Sequence, residues 1–182
     1  MGVNLSAGLI TVFLWDNFLR PYQKVRIMTL LDPESDRLGS GWNIIQSKIA
    51  IGSGGLTGKG FLEGTQTKYE FLPAAHTDFI FSVVGEELGF VGALVVLALF
   101  FFLIARALHI GSMVKNRFYS LIAIGLASML TFHVFINIGM TIGVMPVTGL
   151  PLPFLSSGGS SLLSNLIAVG LLLHIYTYRH EY

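Results

Sequence analysis

From Leu88 to Leu108 the chain is apolar but for one charge, Arg106, and includes a triple phenylalanine at positions 100 to 102. A helix of about 20 apolar residues spans the hydrocarbon core of a bilayer, and a soluble domain has no interior for several helices of that kind. Two further apolar runs follow, Tyr119 to Val144 and Leu162 to Tyr178. With 53% hydrophobic and 12% charged residues and a mean hydropathy of +0.71, the whole 182-residue chain lies outside the range of soluble domains. The fold class is therefore an all-α integral membrane protein, a polytopic helical bundle of about four transmembrane helices with a large extracytoplasmic loop.

The expected organisation is a single membrane domain over residues 1–182. It comprises a partial transmembrane helix at 1–19, a loop at 20–81, spans at 84–108, 119–144 and 162–178, and a second loop at 145–161. Residues 1–19 lack a basic leader and a small-residue cleavage site, and they end at Trp15 and Asp16, as a helix does at a bilayer interface. They are short for a full span, so the chain is expected to begin inside a helix whose start is missing. The connection between the second and third spans carries Arg106, Lys115 and Arg117 and no acid. Short basic connections lie on the cytoplasmic side, which puts the 20–81 and 145–161 loops outside. A net charge of +1 gives no reason to expect nucleic acid, and the absence of cysteine removes disulfides and thiolate chemistry.

The 20–81 loop holds seven of the eleven Lys and Arg residues and six of the ten carboxylates. Loops of that length inside a compact protein are functional or disordered, and apolar residues at Trp42, Ile44, Ile45, Ile49 and Ile51 argue for a short amphipathic helix. Before it, Asp32-Pro33-Glu34-Ser35-Asp36 has turn chemistry. After it, Gly52 to Gly60 suits no helix or strand interior. That glycine run is not a Walker A loop, because position 53 is Ser and Lys59 is followed by Gly60. A looser anion cradle with Lys59 and a plain flexible loop both stay open.

The chemistry concentrates where this loop meets the next span, at His76, Thr77 and Asp78, with Glu86 and Glu87 about 12 Å further along a helix at ~1.5 Å per residue. Asp78 is either an N-cap, the plainer reading, or a carboxylate whose boundary position suits general base work. Glu86 and Glu87 are either an interfacial pair or acids facing a bundle interior. His133 and Asn137 share a helix face, and interhelical hydrogen bonding accounts for them. In the second loop, Pro146, Pro151 and Pro153 forbid a continuous helix, and the Gly-Ser run from Ser156 to Ser161 offers backbone N–H groups at the start of a new one.

Two long motifs resemble the SEDS family (shape, elongation, division and sporulation). The first runs from Asp32-Pro33-Glu34-Ser35-Asp36 through Ile44 to Gly55, Gly58-Lys59-Gly60, Gly64-Thr65-Gln66, Leu72-Pro73 and His76-Thr77-Asp78-Phe79-Ile80-Phe81 to Gly85-Glu86-Glu87-Leu88-Gly89. The second is Asn137-Ile138-Gly139-Met140, Pro146 to Phe154 and Ser156 to Ser161. The Gly-Lys-Gly and Gly-Thr-Gln pieces are more similar to elongation members than to division members. The resemblance covers nearly the whole chain and implies the C-terminal part of a ten-helix fold, a fragment of about half the family's length. Departures are Ala74, where many members carry Glu, Ser157, often Tyr, and Arg37, often Pro.

The resemblance implies a multi-pass enzyme of the bacterial cytoplasmic (inner) membrane, a peptidoglycan glycosyltransferase that polymerises lipid II during cell elongation and shape maintenance. Asp78 matches the family's essential aspartate. Lys48, Lys59 and Lys68, or a divalent cation such as Mg or Mn, are expected to meet the departing pyrophosphate. His76, Thr77, Ser156, Gly158 and Gly159 are expected to contact substrate. The implied partners are lipid II, membrane lipid and a class B penicillin-binding protein. That partner's single membrane helix would pack on 88–108 and 119–144, where Gly89, Gly92 and Ala93 allow close approach. The competing expectations are a lipid-linked precursor flippase and a non-catalytic scaffold for that partner.

Overall fold

The computed structural model describes residues 20–36, 39–68, 71–72 and 74–178, so the expected partial helix at 1–19 lies outside the described residues. The elements in chain order are α1 (Pro21–Leu31), a 3₁₀ turn (Pro33–Asp36), α2 (Ser40–Ser53), α3 (Thr65–Lys68), α4 (Ile80–Met113), α5 (Arg117–Thr141) and α6 (Gly159–Thr177). Among the described residues all regular structure is helical, and α4, α5 and α6 are each long and apolar enough to cross a membrane.

The three long helices meet along seams of small and branched side chains. On α5 the buried residues Ala123, Ala127, Leu130, Val134 and Asn137 recur every three or four positions, so they form one stripe. Ala107 and Ile110 of α4, Ala123 and Ala127 of α5 and Leu172 and Ile175 of α6 form one core, where alanines let the helices approach closely. At the other end, Phe81 and Phe100 of α4 pack with Val134 of α5 and Leu152 of the following loop.

Much of the 20–81 segment is folded rather than looped. Pro21 occupies the first turn of α1, where its missing N–H costs nothing, and Gln23 Oε1 accepts from Arg20 N at 2.9 Å. The charge pattern gave no sign of α1. The helix expected around Trp42 to Ile51 is α2, and it buries Ile44, Ser47 and Ala50. Ser47 Oγ donates to Thr141 O at 2.6 Å, so the 2.5 Å contact with Ser82 Oγ must use the Ser82 proton. Two hydroxyls thereby join α2, α4 and α5.

The span expected at 84–108 is part of a helix that begins at Ile80 and is broken at Gly89, with φ 67° and ψ −164°. Gly52 and Ser53, expected outside any helix, are the last two residues of α2, and the rest of the glycine run, 54–60, repairs the break. Lys59 N and Gly60 N donate to Glu86 O and Glu87 O at 3.0 and 3.1 Å, while Phe90 N and Val91 N donate to Gly55 O and Leu56 O at 2.9 and 3.1 Å. Gly58 N donates to Gly54 O at 2.8 Å. The run is therefore neither a free loop nor an anion cradle, because these amides are spent on backbone carbonyls. Irregular backbone near a membrane is tolerated where protein satisfies it in this way. Gly89 is buried under the run, so it offers no surface to a partner helix; Gly92 and Ala93 stay partly exposed.

Candidate active site

Asp78 sits on a turn ahead of α4. Ala74, at φ 58°, directs its carbonyl toward the amides of Thr77, Asp78 and Phe79, which donate to it at 3.1, 3.1 and 3.3 Å. The N-cap of α4 is Phe79, with no side-chain cap bond, so the capping reading of Asp78 fails. The turn is held from below by Leu72, Ala75, Phe79 and Val83, a small apolar core against which Val147 packs. Asp78 is half-buried, and among the described residues no side chain or backbone N–H bonds its carboxylate. Gly149, at φ 73°, backs the carboxylate: a Cβ there would lie 3.4 Å from Asp78 Oδ2.

The second loop and α5 close over this turn. Ser156 Oγ accepts from Leu152 N at 2.7 Å and donates to Thr77 O at 2.5 Å. Ser157 donates to His76 O through both N (2.9 Å) and Oγ (2.8 Å). Asn137 Nδ2 donates to Asp78 O at 2.9 Å and to Leu150 O at 2.8 Å. Asn137 is fully buried, so its bonds run to two loops rather than to a neighbouring helix.

The other expected site residues divide. His76 is exposed at the turn, and Thr77 Oγ1 folds back on Ala74 O at 3.2 Å. Gly158 is the N-cap of α6 and Gly159 its first residue, next in sequence to the Ser157 that grips His76. Lys48 follows the Ser47 that bonds Ser82, one helical turn past Asp78, and its side chain lies along Gly143 in the connection after α5. Lys48 thus shares the Asp78 end of the bundle.

Lys59 is engaged elsewhere. Its Nζ lies 2.7 Å from Glu86 Oε1 and 2.8 Å from Thr65 Oγ1. Glu86 is wholly buried and also accepts from Thr65 N, Thr65 Oγ1 and Gln66 N at 2.8, 2.9 and 3.1 Å. Four short bonds converge on its Oε1 and one longer one, from Gln66 N at 3.3 Å, reaches Oε2, so this carboxylate organises a loop. The side chain of Lys68 lies outside the description. Among the described residues no three His, Asp or Glu side chains gather as metal ligands.

Two apolar grooves run along the membrane helices, and neither is lined by a residue of the turn itself. One, of about 290 Å³, runs between α4 and α5 up to Val144 and Met145, and the other, of about 210 Å³, lies between Phe100 of α4 and Pro153-Phe154-Leu155. A carboxylate turn at the end of a bundle that carries apolar grooves along its helices suits a substrate that is polar at one end and lipid at the other.

The FtsW/RodA/SpoVE family model, described as "Cell cycle protein", matches residues 2–181. The chain is 52% identical over 179 residues to the peptidoglycan glycosyltransferase MrdB of Escherichia coli strain K12, covering 98% of this chain and 48% of that protein. It is 52% identical over 175 residues to the peptidoglycan glycosyltransferase RodA of Treponema pallidum strain Nichols, covering 96% of this chain and 40% of that one. Similarity extends to the stage V sporulation protein E of Bacillus subtilis, at 48% over 158 residues, covering 87% of this chain and 43% of that one. A solved structure described as "Structural coordination of polymerization and crosslinking by a peptidoglycan synthase complex" superimposes with a TM-score of 0.72 at 40% identity, over 100% of this chain and 49% of its counterpart. The chain spans about half the length of the curated relatives it matches. With a membrane bundle of this topology and a family match along almost its whole length, the chain belongs to the FtsW/RodA/SpoVE family, the SEDS proteins.

Proposed function

We propose that this chain carries the base-bearing half of a peptidoglycan glycosyltransferase that polymerises lipid II at the outer face of the bacterial cytoplasmic membrane, in its elongation role. The observation that carries the reading is the carboxylate of Asp78, unpartnered among the described residues yet mounted on a turn whose peptides on both sides of Asp78 are hydrogen-bonded. In the step, Asp78 takes the proton of the acceptor's 4-hydroxyl as that oxygen bonds to the donor's anomeric carbon. The bond from that carbon to the lipid pyrophosphate breaks, and the pyrophosphate leaves with the electron pair. Lys48 supplies positive charge to the departing group. The groove between α4 and Pro153-Phe154-Leu155 accommodates the lipid ends of the substrates, which stay in the bilayer while the sugars react.

The test joins this chain to the first half of the Escherichia coli relative, and measures labelled glycan from lipid II in detergent, where no barrier exists to transport across. Asp78→Ala and Asp78→Asn should each lower turnover by roughly 10² to 10⁴, the usual worth of a general base. Equal turnover by Asp78→Ala would end this assignment. Lys48→Ala should slow turnover less. Glycan formation without a membrane barrier also separates an enzyme from a flippase.

The partner in this reading is a class B penicillin-binding protein, whose membrane helix packs on α4 and α5. The similar solved structure, described as a complex of polymerization and crosslinking, supports that choice. Co-purification with the restored protein, lost when bulky residues replace Gly92 and Ala93, checks it.

A further inference from the structure

Three consecutive backbone carbonyls, those of His76, Thr77 and Asp78, each accept hydrogen bonds from a residue far along the chain. Ser157 serves the first, Ser156 the second and Asn137 the third. In a continuous helix these carbonyls would accept from amides four residues on, but α4 begins only at Ile80 and its first turn includes Ser82 N to Phe79 O at 2.9 Å. The amides of Thr77 and Asp78 meanwhile point back at Ala74 O. The peptides on both sides of the Asp78 Cα are thus bonded, and only side-chain rotation is left to the carboxylate.

The gripping residues have little freedom of their own. Asn137 uses both protons of its amide nitrogen, one on Asp78 O and one on Leu150 O. Ser156 has its hydroxyl oriented by Leu152 N, and Leu152 is flanked by Pro151 and Pro153, whose φ is fixed by their rings. We propose that Asn137, Ser156 and Ser157 are positioning residues for Asp78, and that the loop after α5 sets the distance from the Asp78 carboxylate to the acceptor hydroxyl rather than binding substrate through these side chains. The inference rests on the reading of Asp78 as the base. A base must stand about 2.6–3.2 Å from the proton it takes, and a misplacement of ~1 Å costs about 10²-fold.

The experiment uses the restored full-length protein, with lipid II turnover scored per monodisperse folded molecule. Ser156→Ala should lower kcat by about 10- to 100-fold with KM within about two-fold, because positioning acts on the transition state. Ser156→Thr keeps the hydroxyl and should recover most of the rate. Ser120→Ala, which removes a 2.7 Å hydroxyl bond to Gly111 O at the far end of the bundle, should leave kcat unchanged. In an Asp78→Ala background, Ser156→Ala should produce no further loss, since no base is left to position.

A wild-type kcat in Ser156→Ala, with Asp78→Ala inactive, would overturn the inference and leave the base assignment standing. So would a full further loss in the Asp78→Ala background, the mark of a merely structural serine. An active Asp78→Ala would remove both readings together. Should Ser156→Ala fail to fold, Ser157→Ala decides: its N–H bond to His76 O survives, a several-fold drop in kcat supports the grip, and an unchanged kcat overturns it.

Discussion

Gly89 shows at the scale of one residue how the tertiary fold reaches back into sequence choice. Its φ of 67° with ψ of −164° belongs to a region that other residues occupy only under strain, and a Cβ there would collide with Gly58 N and lie 2.7 Å from Leu56 O. Gly89→Ala should therefore cost more than the ~1–3 kcal/mol of backbone strain alone, because the glycine run must also move. Limited proteolysis within residues 54–62 checks this, with faster cleavage expected in the variant. Asp78 is the complementary case. Its chemistry was visible in the sequence as an acid beside His76 and Thr77, but whether it capped a helix depended on where α4 starts. The start at Ile80, past Phe79, decided against the cap and left the carboxylate for other work.

Between residue and bundle, the segment from α2 to the break in α4 behaves as one element. The Gly54–Gly60 segment and α3 are fastened to α4 by backbone bonds on both sides of Gly89 and by the Lys59–Glu86 pair. Lys59 is partly exposed but Glu86 is wholly buried, so Lys59→Ala leaves a buried carboxylate without its cation and should destabilise this element. Glu86→Gln should cost less, since an amide oxygen still accepts from Thr65 N and Gln66 N. Hydrogen exchange at the amides of Thr65 and Gln66 distinguishes the two, with the faster exchange expected for Lys59→Ala. Glu86 and Lys59 were both legible as functional candidates in the sequence. The sequence could not reveal that each is the other's partner, because 27 positions separate them and only the fold closes that gap.

Among the described residues, three membrane-length helices converge on alanines at one end, while at the other α4 and α5 pack aromatic and branched residues with the loop that follows α5. The part of α4 from Phe90 to Met113 is ~36 Å long at ~1.5 Å per residue, enough for the ~30 Å hydrocarbon core with modest tilt. Ala127 is fully buried where the three helices meet. Ala127→Leu should overpack that seam and cost ~1–3 kcal/mol, read as a lower midpoint of thermal aggregation in detergent. The same substitution at exposed Ala98 should be silent.

The amino-acid sequence by itself determined the membrane class, the presence of three long apolar helices and the family. Hydrophobic run length and a contiguous motif are local properties that survive without coordinates. Helix α1 was missed because its apolar residues, Val25, Ile27, Met28, Leu30 and Leu31, are interleaved with the charges that dominated the reading of that loop. Ser157 was missed because a serine in a Gly-Ser run carries no signal of what it will bond. Only the tertiary structure decided that the glycine run mends a broken helix, that Lys59 belongs to Glu86, and that Asn137, Ser156 and Ser157 grip the carbonyls around Asp78. Those are pairings across dozens of residues, and a hydrogen bond between distant groups exists only once the chain has brought them within 3 Å.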